Sequence, residues 1–358
     1  MKKLLEKLVK TPGLSGHEEK VIRIMKDELS KYSDNVYIDN LGNVVSKIEG
    51  TNPEKKVMIF AHMDQLGLVV RKITDDGFIG VERVGGVPEK VLPATEVIVE
   101  NEDGEVFYGV VANKSHHITP QSEKYVVTPY LEQFVDIGAT TKEEVLEKGI
   151  DVGAPITYKP VFKEIMNDKI MGTSLDNRVG CSLLAELSRE FSENRPEATV
   201  YLVATVLEEF NLRGAMVAAR AIKPDVAVCL DVVASGDTPN LRSRSDLSLG
   251  SGPVISMYNF HGRGTLNGTI PHPKLVKHFV KVASDNNIKT QKGALTGLLT
   301  DLSYVQLENE GIASIDLCYP TRYTHTPTEV VNMSDIFALK DLVVKAVSQI
   351  NKINLSRI

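Results

Sequence analysis

The chain has 358 residues, room for about two domains at roughly 150 residues each. A composition of 42% apolar and 25% charged residues, with 26 Gly and 16 Pro, belongs to a chain that folds by burial and excludes a disordered or collagenous polymer. The 47 acidic and 41 basic residues leave a net charge of −6, too mild to steer nucleic acid or an anionic membrane, and no basic cluster offsets it.

In chain order, Leu4, Leu5, Leu8 and Val9 lie at helical spacing between charges, unlike the uninterrupted apolar stretch of a signal peptide. Val21, Ile22, Ile24, Met25 and Leu29 predict a helix, and Lys56–Phe60 a short buried strand. From about 70 to 165 the texture changes to short β-type segments, such as Gly80–Val84, Glu96–Val99 and Val106–Val111, separated by Gly, Asp and Pro turns. Helical periodicity then returns with Val179, Leu183, Leu184, Leu187 and Phe191. Buried strands follow at Val200–Val206 and Val226–Leu230, and a last helix is expected from about Ser334 to Asn351. The fold expected is α/β, a mixed central sheet flanked by helices over 1–69 and 166–358, with a small β-domain inserted at 70–165. Cys181, Cys229 and Cys318 lie in or beside apolar runs without a C-x-x-C pair and read as buried thiols. With no run near the ~20 apolar residues of a membrane span, the expectation is a cytoplasmic protein.

Four buried strands lead into groups that bind divalent metals. The first ends in His62-Met-Asp64, whose outer two residues share a face because side chains alternate along a strand. The others lead to Glu208-Glu209, to Asp231, and through Ile315–Pro320 to His325. In open α/β sheets such groups converge beyond the carboxyl ends of the strands. Asp176 precedes the helix that carries Val179. Two imidazoles and four or five carboxylates without thiolate suit two catalytic ions of Zn²⁺, Co²⁺ or Mn²⁺. Taken singly, each has a plainer reading: His-x-Asp as a local hydrogen-bonded pair, Glu208-Glu209 as solvated surface, Asp176 as a helix cap, His325 as a turn residue. Recurrence at four strand ends is what favours a site. Adjacent Glu208 and Glu209 do not suit a glycosidase, whose two carboxyls flank the scissile bond ~5–10 Å apart. His116-His117 falls in the inserted segment and reads as loop. Gly262–Gly268 is glycine-rich but lacks a phosphate-loop Lys-Ser/Thr, so it reads as a flexible loop and not a nucleotide cradle.

The set resembles the tetrahedral aminopeptidases, the di-metal family that includes glutamyl and deblocking aminopeptidases. The marks are Ala61-His-Met-Asp-Gln-Leu-Gly67, Phe134-Val-Asp-Ile-Gly-Ala-Thr-Thr-Lys-Glu-Glu144, Ser174-Leu-Asp-Asn-Arg178, Glu208-Glu-Phe-Asn-Leu-Arg-Gly-Ala215, Asp231 followed by Gly236-Asp-Thr-Pro239, Leu249-Gly-Ser-Gly-Pro-Val254 and Arg322-Tyr-Thr-His-Thr-Pro-Thr-Glu-Val330. In order and spacing they run nearly the whole chain. The resemblance implies that His62 and Asp231 hold one metal, Glu209 and His325 the other, and that Asp176 bridges them. It makes Glu208 the general base and Asp64 a carboxylate that orients a metal ligand; the residues alone do not choose between Glu208 and Glu209.

The same resemblance implies peptide substrates and self-association, from a dimer to a hollow tetrahedral dodecamer, with the inserted domain carrying the dimer contacts and His116-His117 reaching a neighbouring subunit's site. Three departures stand out: Gln65 where the family has Glu, a less glycine-rich 297–303 segment, and Ala234-Ser235 where a His-containing pair is common. They bear on substrate preference more than on hydrolysis. Two further readings are a di-metal deacylase or amidohydrolase of small N-acyl substrates and a non-catalytic peptide-binding paralogue, against which an intact Glu208 weighs.

Overall fold

The computed structural model describes residues 1–261 and 268–358, so most of the glycine-rich stretch 262–268 lies outside the described residues. The spine is a nine-stranded mixed sheet. Across it run Val36–Ile38, Val44–Ile48, Thr199–Thr205, Lys56–His62, Val226–Ala234, Ala313–Thr321, Val254–Phe260 and Gly268–Thr269, with Gln291–Thr296 also pairing Val254–Phe260. The four central strands are parallel and antiparallel strands flank them, so the parallel carboxyl ends line one edge.

Alternation along the Lys56–His62 strand sends Val57, Ile59 and Ala61 to one core and Met58 and Phe60 to the other. Both faces are therefore covered, which is why the run is uniformly apolar. The larger core packs under the helices Lys2–Val9, Glu19–Leu29, Leu175–Glu193, Pro273–Asp285 and Met333–Val347, the smaller under Gly214–Ile222 and Leu302–Val305. The strands at 199–205 and 226–234 and the last helix occur where the apolar pattern put them, with ends shifted by a few residues. Asp231 differs from its expected place at a strand end. Its strand continues to Ala234, but pairing with the Lys56–His62 strand stops at Cys229 opposite Phe60, so Asp231 lies just past the last rung between the two strands, near His62.

The Lys56–His62 strand leads through Met63–Leu66 into a closed barrel of Gly67–Ile73, Ile79–Val84, Phe134–Asp136, Val106–Val111, Glu96–Glu100 and Pro155–Tyr158, with its own apolar core. The barrel strands thus begin at Gly67 and end at Tyr158. A three-stranded sheet of Phe162–Ile165, Lys169–Gly172 and Glu329–Asn332 carries the chain back to Asp176. The barrel is interposed between two residues, His62 and Asp176, that meet in space. Cys181, Cys229 and Cys318 are free and buried. Among the described residues no helix is long and apolar enough to cross a membrane.

Candidate metal centre

The carboxyl edge of the parallel strands gathers the residues singled out from the sequence. His62 closes its strand and lies opposite Thr205, so Glu208 and Glu209 follow just beyond the neighbouring strand. Ligand atoms of His62, Asp176 and Asp231 lie within 4.8 Å of one another, and so do those of Asp176, Glu209 and His325. Asp176 belongs to both groups. Its Oδ1 is 3.1 Å from His62 Nε2 and its Oδ2 is 3.6 Å from His325 Nε2. His62 Nε2 is 3.9 Å from Asp231 Oδ1, and His325 Nε2 is 3.9 Å from Glu209 Oε1. Glu208 stands apart from both triads, with its Oε2 3.9 Å from His62 Nε2. Asp176 does not spend its carboxylate on a helix N–H as a cap would: the carboxylate faces the two imidazoles and accepts from Thr324 Oγ1 at 3.1 Å.

The donors are oriented as a cation would need them. His62 Nδ1 pairs with the Asp64 carbonyl at 3.2 Å and His325 Nδ1 with the Gly86 carbonyl at 3.1 Å. A carbonyl only accepts, so each Nδ1 donates and each Nε2 faces the site, where its lone pair serves a cation once the ring is neutral. Gly86 belongs to the inserted barrel region, and a Cβ built there falls 2.8 Å from His325 Nδ1. Asp64, fully buried, accepts from Ser15 Oγ at 2.5 Å and from the backbone N–H groups of Glu208 and Glu209, both at 3.0 Å. It therefore fixes the turn that carries both glutamates, and does not itself join either triad.

Charge at the site is unbalanced. Burial pushes Glu208 well above the usual carboxylate range, His62 opposing and Glu209 and Asp231 reinforcing. Burial, opposed by His325 and reinforced by Asp176, lifts Glu209 to about 7. Asp231 rises well above its ordinary value through burial, with His62 opposing. Against burial, Glu208 and Asp176 raise His62 well above the ordinary histidine value, and Glu209 and Asp176 raise His325 to about 9. Buried carboxylates that resist ionisation for want of positive charge, and imidazoles that hold extra protons with Nε2 facing inward, fit a site that divalent cations would neutralise.

Sequence reasoning missed two residues. Glu329 is 1% exposed and accepts from the Asp176 and His325 backbone N–H groups. Arg178 is fully buried; it donates to the Leu8 carbonyl at 2.9 Å, the Thr11 carbonyl at 3.2 Å and Gln65 Oε1 at 3.1 Å. Both lie inside quoted motifs, but nothing in their neighbours along the chain tells what they face. Gln65 Oε1 also accepts from Gly13 N–H at 3.1 Å, so a neutral amide ties the segment at 8–15 to the residue beside Asp64. In the 297–303 segment, Thr300 Oγ1 donates to Asp316 at 2.8 Å, and Asp301 accepts from Thr205 Oγ1 at 3.0 Å. His116 and His117 are exposed and belong to neither triad.

The profile of the M42 glutamyl aminopeptidase family matches residues 42–342. The chain belongs to that family. The M42 chain is 34% identical to the lysyl aminopeptidase of Pyrococcus furiosus over 338 residues, covering 93% of this chain and 92% of that protein. It superposes on the aminopeptidase APDkam598 of Desulfurococcus kamchatkensis with a TM-score of 0.91 at 34% identity, over 97% of this chain and 94% of that one. A Pyrococcus horikoshii TET1 peptidase, described as assembling into a tetrahedron or a large octahedral shell, matches with a TM-score of 0.85 at 28% identity over 96% and 98% of the two chains. The M42 chain is thus an aminopeptidase, a metal-dependent hydrolase of peptide bonds, on the fold its alternating strands and helices predicted.

Proposed function

We propose that this M42 aminopeptidase releases N-terminal residues from peptides through two divalent ions, Zn²⁺ or Co²⁺, with Mn²⁺ a further choice. His62 and Asp231 would hold one ion, Glu209 and His325 the other, and Asp176 would serve both. The observation that carries this reading is the double membership of Asp176, whose two oxygens face the two histidines at 3.1 and 3.6 Å. When bound, such a pair supplies Lewis-acid polarisation of the scissile carbonyl and a water acidic enough to attack it near neutral pH.

The chain's own residues do the rest. Glu208, outside both triads, takes the proton of the attacking water and passes it to the leaving amine. Asp64 holds the 208–209 turn through two backbone N–H groups and so keeps base and ligand in fixed relation. The carbonyls of Asp64 and Gly86 keep each histidine's Nε2 free to ligate. We further propose that the inserted segment, 70–165, mediates self-association, from dimers to a tetrahedral dodecamer. Tyr108, Ile118, Tyr125 and Val126 expose 65–88% of their surface there, and the horikoshii relative forms closed shells.

Dialysis against a chelator should abolish hydrolysis, and Zn²⁺, Co²⁺ or Mn²⁺ should restore it. A screen of the metal-loaded protein on aminoacyl anilides, free peptides and N-acetylated peptides then separates the chemistries. Cleavage confined to free N-termini supports the aminopeptidase mechanism. Preference for N-acyl substrates replaces it with a deacylase, and binding without turnover with a peptide-binding protein.

A further inference from the structure

We propose that Glu329 is a positioning residue for the metal pair, one carboxylate that sets the bridging Asp176 against His325. The inference rests on the two-metal reading above and concerns what holds the bridge. Asp176 and His325 come from distant parts of the chain, and each sits in an irregular turn. Ser174, two residues before Asp176, has a φ of +52°, Tyr323 one of +62° and His325 one of +66°. None of these residues is glycine, so neither turn sits in a conformation its side chains favour, and each needs an external hold.

Glu329 supplies that hold at once for both. It opens the Glu329–Asn332 strand directly opposite Gly172, the last residue before the Asp176 turn. From there its Oε2 accepts the Asp176 N–H at 2.9 Å and its Oε1 the His325 N–H at 2.9 Å. A second tie, from Thr173 Oγ1 to the Pro327 carbonyl at 2.9 Å, joins the same two segments. The two N–H groups reach different oxygens of the one side chain, so this geometry needs an acceptor at both ends of the fork and a donor at neither. Among side chains of this length only a carboxylate meets that demand, because glutamine turns one oxygen into an NH₂ that faces an N–H. The arrangement parallels Asp64, which grips the N–H groups of Glu208 and Glu209 on the other side of the site. One carboxylate thus fixes the base and one ligand, while Glu329 fixes the bridge and the other ligand.

The test compares the full-length wild type with Glu329→Gln by titration of the metal-free protein with Co²⁺, followed through the d–d absorption band, alongside kcat, KM and the melting temperature of the apo form. Wild type should take up two equivalents. In Glu329→Gln the second equivalent should bind roughly 10 to 100-fold more weakly with an altered band. kcat should fall in parallel while KM changes little. Glu329→Asp, which keeps both oxygens but withdraws them by a methylene, should lie between the two, and it serves if the Gln variant does not fold. Two equivalents bound at wild-type affinity with an unchanged band in these variants overturn the positioning role. A lowered apo melting temperature with unaltered Co²⁺ binding also overturns it, by reducing Glu329 to a purely structural part. Fewer than two equivalents in the wild type overturn the two-metal reading itself, and the role of Glu329 with it.

Discussion

The division of labour between Glu208 and Glu209 is the sharpest test of this site, because the two are adjacent in sequence and differ only in what they face. Glu209 Oε1 reaches the Asp176 and His325 triad, whereas Glu208 belongs to neither triad and approaches His62 Nε2 at 3.9 Å. Both backbone N–H groups are held by Asp64, so replacing either side chain with glutamine leaves the turn intact. Glu208→Gln therefore removes the proton acceptor, and with it a negative charge beside His62, while leaving the atoms of both triads in place. General-base catalysis contributes about 10² to 10⁴ in rate, or about 2.7 to 5.4 kcal/mol of barrier at 1.36 kcal/mol per decade. The expected result is a fall of that size in kcat, with metal content by elemental analysis and KM close to wild type. Glu209→Gln should instead lose metal and regain part of its activity at high metal concentration. The apo proteins give a further check. An acid whose folded pKa lies above its unfolded value of about 4.3 costs stability once the pH exceeds that value, because the unfolded chain ionises it freely while the folded state must keep the proton or carry a charge it disfavours. Burial raises Glu208 in this way. The metal-free Glu208→Gln protein should consequently melt no lower than wild type at pH 8. Turnover within tenfold of wild type, or a lost metal equivalent in Glu208→Gln, would refute the assignment.

Gly86→Ala puts a methyl 2.8 Å from His325 Nδ1, which should displace the imidazole and weaken the second metal equivalent while sparing the first, as metal titration would reveal. Arg178→Met takes a buried donor from three acceptors, of which the Leu8 carbonyl and Gln65 Oε1 keep the Thr11 and Gly13 N–H groups, so the Thr11 carbonyl is the one left bare. At roughly 1 to 3 kcal/mol per orphaned group, denaturant unfolding should show a loss of about that size. Ile118→Glu and Tyr125→Glu place charges on the exposed apolar surface of the inserted segment. Light scattering should then show smaller species than the wild-type assembly, with hydrolysis of a small anilide retained.

How far the site could be read in advance follows from which interactions leave a one-dimensional trace. A strand buried on both faces must be apolar throughout, so Val57–Ala61, Val200–Ala204 and Val226–Leu230 announce themselves, and the polar groups where they give out mark the edge at which ligands gather. The barrel was legible as short alternating segments, because one face of each strand meets a core and the other meets solvent. Pairing lengths leave no such trace. The run of Val226 onward looked finished at Asp231, yet the strand continues to Ala234 against one neighbour after losing the other at Cys229, and that mismatch is what opens room beside Asp231 for the site. Roles within Glu208-Glu209 were equally hidden. Leu207 has a φ of +58°, a left-handed turn that breaks the strand's alternation just before them, so period-two logic cannot say which glutamate points where. Glu329 is the extreme case. It touches Asp176 and His325 only through their backbone N–H groups, and a backbone amide is the same at every residue. No choice of side chain at 176 or 325 could signal it, and only the folded turns make its carboxylate meaningful.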